Sequence, residues 1–426
     1  MRIWSELTPD ARKTFVASFL GWTLDAFDFF LLTFVVTRIA ADFNRGIAEV
    51  AGAITLTLAC RPLGALAFGW LADRYGRRTP LMIDVAFFSI VELLTAFSPN
   101  FTVFLVLRAL YGVAMGGEWG LGAAMVMESL PPQRRGLFSG VLQEGYAVGY
   151  LVAAAVYFLV THFAHQFGAG RYDWRILFAV GTLPALLVFY IRSQVPESPA
   201  WLAGKSERIA LGPRFLWVSI ARNWPLFLYA IAMMAAMNFM SHGTQDLYPT
   251  FLQKQLGFSP GTTSALAILA NLGAIAGGIG IGALSQRIGR RAGILVCSAL
   301  GAAFVPLWAF SSTLAALAAG AFALQFCVQG AWGVIPAHLN ELSPSEVRAT
   351  FPGFTYQLGN LISAGAAQME AAFAQTHYAL PGGRANYAAA MAALSWIDFA
   401  AVFAIVALGY AVSRERREIA FYRRAP

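Results

Sequence analysis

Polar and ionisable side chains interrupt several strongly apolar stretches of this sequence, and their types and spacing suggest chemistry. The densest group is Asn238-Phe-Met-Ser241-His242-Gly-Thr244-Gln245-Asp246-Leu-Tyr-Pro-Thr250. In a helix, Asn238, His242 and Gln245 fall within two turns on one face, with Ser241 beside them, and Asp246 continues the His242 line at i+4. A helix facing only apolar neighbours has no use for so many polar groups. Histidine titrates near neutral pH, so with the adjoining carboxylate it can bind and release a proton. Arg61 sits in the middle of another apolar stretch, and its planar fork of fixed charge suits a carboxylate, gripped by two hydrogen bonds. A permanent ion pair with Asp25, Asp28 or Glu144 is the alternative. Those three acids are also the second set of candidate proton carriers. Gln357 and Asn360, one turn apart, can donate to a carboxylate or hydroxyl, or else join two helices as a packing pair. Asp84, Glu118, Glu370 and Asp398 read instead as structural pairs or snorkelling groups.

Groups of this kind need elements that hold them at depth. With 58% hydrophobic and only 12% charged residues, water is not the main solvent of this chain. A hydrocarbon layer about 30 Å thick needs roughly 20 apolar residues per helical span. Such stretches lie near 15–38, 50–72, 79–98, 101–125, 136–161, 174–192, 223–246, 261–284, 292–311, 313–339, 348–374 and 388–412. An all-α membrane protein of twelve spans is therefore expected, because in lipid a helix satisfies its own backbone. The polar start, Met1 to Lys13, runs into a stretch of full spanning length, so no cleaved signal peptide is expected.

Charge placement gives the orientation. Of 30 Lys and Arg residues, 22 fall on the side of the termini, six fall on the other side, and Arg61 and Arg108 lie within spans. Basic residues accumulate on the cytoplasmic side, which predicts both termini there in a multi-pass protein of the plasma or inner membrane. The net charge of +8 then belongs to short loops and the tail Arg414 to Arg424 facing anionic headgroups, and calls for no nucleic acid. Cys60, Cys297 and Cys327 occupy separate spans without ligand spacing, so they read as small packing residues, with no disulfide or metal site expected.

The organisation is a repeat. Gly69-Trp-Leu-Ala-Asp73-Arg74-Tyr-Gly76-Arg77-Arg78 recurs as Gly282-Ala-Leu-Ser-Gln286-Arg287-Ile-Gly289-Arg290-Arg291, 213 positions on. Glu128-x-x-Pro131-x-x-x-Arg135 recurs as Glu341-x-x-Pro344-x-x-x-Arg348 at the same offset, half of the 426 residues. The chain thus reads as a six-helix bundle over 1–192, a cytoplasmic central loop over 193–222, and a second bundle with its tail over 223–426. Two such bundles can enclose a site at mid-membrane and rock to expose it to each side in turn. Gly112-x-x-x-Gly116-Gly117 and Gly273-x-x-x-Gly277-Gly278 allow close helix approach within them.

Over its whole length this pattern resembles the major facilitator superfamily, whose signature is the Gly-x-Leu-x-Asp-Arg-x-Gly-Arg-Arg loop after the second span. In the two copies, Asp73, Arg74, Arg77, Glu128, Arg135, Glu341 and Arg348 are placed to latch one conformation, broken and remade in each cycle. Gln286 stands where the second acid would be, so that latch is expected to be weaker or differently built. Arg108 opens an Arg-x-x-x-Gly-x-x-x-Gly stretch common in proton-coupled members, with coupling and structural roles both open. The string from Asn238 to Thr250 resembles the signature of Jen-type lactate and pyruvate permeases, within the sialate:proton symporter family. The first span, Leu20-Gly-Trp-Thr-Leu-Asp25-Ala-Phe-Asp28-Phe-Phe, resembles that family too.

The resemblance implies proton-coupled symport of short monocarboxylates by a monomer. Asn238, His242, Gln245 and Asp246 then serve as functional positions, Arg61 as the family's second-helix arginine, and Gln357 and Asn360 as its polar pair. A sialic acid or aromatic acid carrier of the same family is the alternative, and a non-transporting nutrient sensor is a weaker one, since no loop exceeds about 30 residues. No nucleophile-base arrangement, metal spacing or phosphate-cradling loop points to an enzyme or a cofactor.

Overall fold

A computed structural model of the chain describes residues 2–166, 172–205, 214–413 and 421. Apart from Phe421, the basic tail from Arg414 to Arg424 lies outside the described residues, as does part of the central loop. Eleven helices among the described residues are long and apolar enough to cross a membrane. The first four are α1 (Pro9–Asp42), α2 (Ile47–Tyr75), α3 (Arg78–Ala96) and α4 (Phe101–Ser129). α5 runs as Arg135–Gln143 and Gly145–Gln166, and α6 as Asp173–Val180 and Ala185–Gln194. α7 (Trp224–Gln245), α8 (Pro260–Ile288), α9 (Arg290–Ala309) and α10 (Leu314–Leu342) follow. α11 is broken into Thr350–Ser363 and Ala366–Gln375, two pieces each too short to span alone, and α12 (Tyr387–Val412) closes the set. With α11 counted whole, the architecture is twelve helices in two six-helix bundles.

Local chemistry fixes the ends of these helices. Thr8, Asn100, Ser259, Thr313 and Asn386 each accept a backbone N–H of the first turn that follows, in α1, α4, α8, α10 and α12. Gly76 and Gly289 end α2 and α8 with φ of 109° and 114°, a conformation that side chains other than glycine rarely adopt. Those glycines are 213 residues apart, and the helix packing repeats with the same period. A Cβ on Gly64 would lie 1.7 Å from the Val113 carbonyl, and one on Gly277 would lie 2.0 Å from the Phe326 carbonyl. The backbones of α2 and α4, and of α8 and α10, therefore touch at equivalent points, as small residues permit.

The repeated motif differs from the expected loop: Gly69 to Tyr75 continue α2, and Asp73 sits in its last turn. The two bundles meet on the side of the described N-terminus. There α2 and α4 pack on α11, and α5 packs on α8 and α10, so closely that a Cβ on Gly120 would lie 2.7 Å from the Gly353 Cα. Toward the other side the bundles separate around a cavity. Between α6 and α7 the chain forms the short helices Pro199–Ala203 and Phe215–Arg222, flanking the undescribed part of the connection.

Candidate functional site

Two adjoining cavities lie between the bundles. The smaller, about 120 Å³, is lined among others by Arg61, Asn238, His242, Asp246, Trp332 and Asn360. The larger, about 300 Å³, includes Glu144, Tyr150, Tyr248, Asn271, Trp308 and Gln325 in its wall. Gln143, Tyr146, Gln245, Asp246 and Gln329 border both.

α7 delivers its polar string to these walls from its last two turns, where Asn238, Ser241, His242 and Gln245 line the smaller cavity. His242 Nδ1 lies 3.0 Å from Asp246 Oδ2, and about a third of each side chain is open to the cavity. The pair can hold a proton where water reaches it. Gln245 donates to Gln325 Oε1 at 3.0 Å and to Ser241 Oγ at 3.3 Å, which ties α7 to α10. Asn238 spends its amide N–H on the Met234 carbonyl, 2.8 Å away and one turn back. From the other bundle comes Arg61, 4% exposed. Its Nη2 lies 3.5 Å from Asp25 Oδ2, a charge contact too long for a good hydrogen bond. Neither Nε nor Nη2 has a hydrogen-bond partner among the described residues, so donors remain for an anion. Both sequence alternatives for Arg61 coexist, because it faces the cavity and neighbours Asp25.

Aromatic rings frame the smaller cavity. Trp119 meets Tyr356 across the bundle interface at 4.7 Å, Trp332 meets Tyr356 at 5.7 Å, and Trp22 stacks on Tyr146 at 5.6 Å. The Trp119 indole N–H donates to Gln143 Oε1 at 3.3 Å, orienting that amide beside the cavity. An apolar frame of this kind excludes water and so strengthens a charge contact made at Arg61.

Other candidates fall elsewhere. Gln357 is fully buried outside the cavity linings, with both amide atoms lacking a partner in the protein, while Asn360 lines the smaller cavity. Glu144 stands at the break of α5, lines the larger cavity and abuts Gly278 of α8. Asp28 and Arg108 lie inside the first bundle, away from both cavities. Arg108 is ion-paired with Glu92, donates to Thr95 Oγ1 at 2.8 Å and lies over the Tyr111 ring at 4.4 Å.

The repeated motifs form two networks where the bundles meet. Asp73 Oδ1 accepts the Ala349 N–H at 3.0 Å, and Oδ2 accepts the Thr350 N–H at 3.0 Å and its hydroxyl at 2.7 Å, capping α11 from the opposite bundle. Arg77 pairs with Asp73 at 2.9 Å and with Glu128 at 3.0 Å, and Arg348 reaches Glu128 at 3.8 Å. Outside the spans, the Glu128 and Asp73 carboxylates hold the Arg77 guanidinium above its ordinary pKa in spite of burial. In the second copy, Arg290 binds Glu341 through two bonds of 3.0 and 2.8 Å, the counterpart of Arg77 with Glu128. Gln286 accepts the Gly136 N–H across the interface at 3.2 Å, so this copy is built on an amide where the first uses a carboxylate. Arg135 donates to the Met127 carbonyl at 2.9 Å, and Arg135 and Arg348 both face the ring of Phe421. Arg74 stands apart from the crossing bonds, its guanidinium over Trp70 and Tyr75.

Gln325, Gln329, Glu92 and the aromatic frame were not singled out in the sequence. Gln325-x-x-x-Gln329, one turn apart in an apolar span, is a signal that points to them. The tryptophans gave none, because rings at helical spacing look the same in a core, at lipid and in a site.

Comparison with known proteins agrees with this geometry. The family described as Major Facilitator Superfamily matches residues 18–367. The chain is 33% identical to the carboxylic acid transporter protein homolog of Saccharomyces cerevisiae, over 94% of this chain and 70% of that one. It is 29% identical to the sialic acid transporter NanX of Escherichia coli, over 84% of this chain and 85% of that one. Among solved structures, a double tryptophan mutant of XylE superposes with a TM-score of 0.73 at 16% identity, covering 96% of this chain and 97% of the other.

Proposed function

The chain belongs to the major facilitator superfamily, and from that premise we propose that it is a proton-coupled symporter of short monocarboxylates such as lactate and pyruvate. One observation carries the reading: Arg61 from one bundle and the His242–Asp246 pair from the other line the same small cavity. Charge arithmetic turns that placement into coupling. Arg61 carries one positive charge, and Asp25 balances it when the site is empty. An arriving carboxylate adds one negative charge too many, and a proton on Asp25 restores neutrality. The empty and fully loaded sites are therefore both neutral, whereas either half-loaded site carries a net charge that is costly to close over at mid-membrane. His242 with Asp246, and Glu144 in the adjoining cavity, offer the proton a place on the wet wall before it moves inward.

The bundles meet on the side of the termini, so the cavity faces the opposite side. The distribution of basic residues supports that side as the outside of a plasma or inner membrane. The yeast relative's name supports a carboxylic acid substrate. A second reading, a larger acid such as a sialic or aromatic acid, is favoured by the 300 Å³ cavity with Tyr146, Tyr150, Tyr248 and Trp308 in its wall, and by the name of the Escherichia coli relative.

Uptake of labelled L-lactate into proteoliposomes, with and without an inward proton gradient and with pyruvate, acetate or sialic acid as competitors, tests the proposal. Gradient-driven accumulation blocked by pyruvate, and abolished in Arg61→Ala, is the expected result. Transport of sialic acid in place of lactate moves the assignment to the second reading. Saturable lactate uptake by Arg61→Ala removes the proposed grip.

A further inference from the structure

Inside the first bundle, α1 carries Thr14, Ser18, Gly21, Asp25 and Asp28 at intervals of three or four residues, a stripe on one face about 21 Å long. All five are buried. The hydroxyls of Thr14 and Ser18 and all four carboxylate oxygens of Asp25 and Asp28 lack a hydrogen-bond partner among the described residues. Facing the stripe, α4 brings Glu118, and α3 brings Asp84 into the interior of the same bundle; both are fully buried, and none of their four oxygens has a hydrogen-bond partner among the described residues. Neither reaches the surface or forms an ion pair among the described residues, and Glu118 lies within electrostatic reach of Arg61.

Missing side chains make room for the carboxylate of Glu118. A Cβ on Gly21 would lie 2.3 Å from Glu118 Oε1. One on Gly122 would lie 3.5 Å from that oxygen and 3.7 Å from Ser18 Oγ, so acid and hydroxyl face one gap. Asp25 is within electrostatic reach of both Glu118 and Asp84. Arg61 stands at the cavity end of this series, and beyond it Arg108 is engaged by Glu92 near Asp28 and Tyr111. Helix rise places Asp84 about 9 Å from the start of α3, and Asp25 about 24 Å from the start of α1, both counted from the side of the termini. The carboxylates thus descend from the cavity toward that side, through the interior of one bundle.

We propose that the proton leaves the binding site through this column, from Asp25 to Glu118 to Asp84, with the Ser18 hydroxyl and intervening water as carriers, while the substrate takes the cavity between the bundles. Each transfer breaks the O–H bond of one carboxylic acid and forms one on the next carboxylate, any hydroxyl or water between them taking one proton as it gives up another; the last breaks the O–H bond of Asp84 and passes its proton to water on the side of the termini, so nothing is oxidised or reduced. Separate paths let the bundles rock around the substrate without interrupting proton release. The inference rests on the symport reading above, and its test separates the two.

Glu118→Gln and Asp84→Asn proteins are reconstituted beside the wild type. Two quantities are measured: lactate accumulation driven by a proton gradient, and exchange of labelled for unlabelled lactate at equal pH. Exchange returns the loaded form without releasing its proton. The column predicts that each variant loses accumulation by at least about tenfold, as removal of a proton-transfer group does, while exchange stays near the wild-type rate. Accumulation at the wild-type rate in both variants overturns the column, and so does equal loss of accumulation and exchange in monodisperse protein. Failure of the wild type to accumulate lactate in response to the gradient overturns the symport reading instead. Should neither variant fold, wild-type protein treated with dicyclohexylcarbodiimide, an apolar reagent for protonated carboxyls, decides by mass spectrometry. Modification of Glu118 or Asp84 is expected, and its absence at both overturns the proposal.

Discussion

Replacing Asp73 by asparagine should open the molecule on the side of the termini. Asp73 is fully buried and takes three hydrogen bonds from Ala349 and Thr350, which belong to the opposite bundle. Asparagine offers one acceptor oxygen and an NH2 group, so at least one of those donors loses its acceptor and the others lose the charge. A hydrogen bond to a charged group contributes about 1.5–3 kcal/mol, and a buried donor left unpaired costs about 1–3 kcal/mol. The closed form should therefore lose about 2–4 kcal/mol, a shift of roughly 30- to 800-fold in the equilibrium between the closed and open forms. Thr350→Val removes one of the three donors to that carboxylate and serves as a graded control, with a cost of about 1.5 kcal/mol, the low end of the range for a charged acceptor, and a shift of roughly tenfold. Electron–electron double resonance between labels on cysteines at positions 75 and 345, after replacement of Cys60, reads the separation of the bundles directly. The longer-distance population should grow from parent to Thr350→Val to Asp73→Asn. Identical distance distributions in all three proteins would show that these crossing bonds do not set the equilibrium.

Two further predictions follow from the site and its packing. Asp246→Asn leaves His242 without its carboxylate partner at 3.0 Å, and gradient-driven lactate uptake should fall while binding of the acid at Arg61 survives; equilibrium binding measured beside transport separates the two, and unchanged uptake would transfer the wet-side proton role to Glu144. Gly277→Val forces a side chain into space where a Cβ already lies 2.0 Å from the Phe326 carbonyl, so thermal stability in detergent should drop by the equivalent of about 1–3 kcal/mol or more, and an unchanged melting temperature would show that α8 and α10 can move apart freely.

The fold was largely legible because hydropathy and the 213-residue repeat are one-dimensional signals. Arg77 with Glu128 and Arg290 with Glu341 form matching pairs at matching positions, as the repeated motifs suggested. The polar face of α7 was legible for a similar reason, since its side chains have no other use in an apolar helix. The helix break at Glu144 was not, because a cavity wall rather than local propensity tolerates it, and neither was the break between the two pieces of α11. Nor did the sequence show that Asp25 serves as a neighbour of Arg61, that Arg108 belongs to Glu92, or that Gln357 turns away from the cavity while Asn360 lines it. Those distinctions depend on the rotation of each helix about its axis, which many residues decide together. Arg74 shows the same limit, for a motif names it beside Arg77 but its position on α2 turns it toward Trp70 and Tyr75.

The breaks in the helices have a kinetic consequence. Beyond Glu144, α5 continues as Gly145–Gln166; beyond Gln245, α7 is followed by Tyr248–Thr250 and a π turn over Phe251–Gln255; and beyond Ser363, α11 continues as Ala366–Gln375. Each outer segment joins its helix through one or a few residues, so it can bend over the cavity while the bonds around Asp73 stay closed. Loop-scale bending takes nanoseconds to microseconds, whereas collective motion of whole bundles takes microseconds to milliseconds. Substrate can therefore be captured and lost many times before the bundles move once. On the proposed cycle, capture acts as a rapid pre-equilibrium, and the turnover clock is expected to be set at the far end of the molecule, where the bonds from Asp73 to α11 must break.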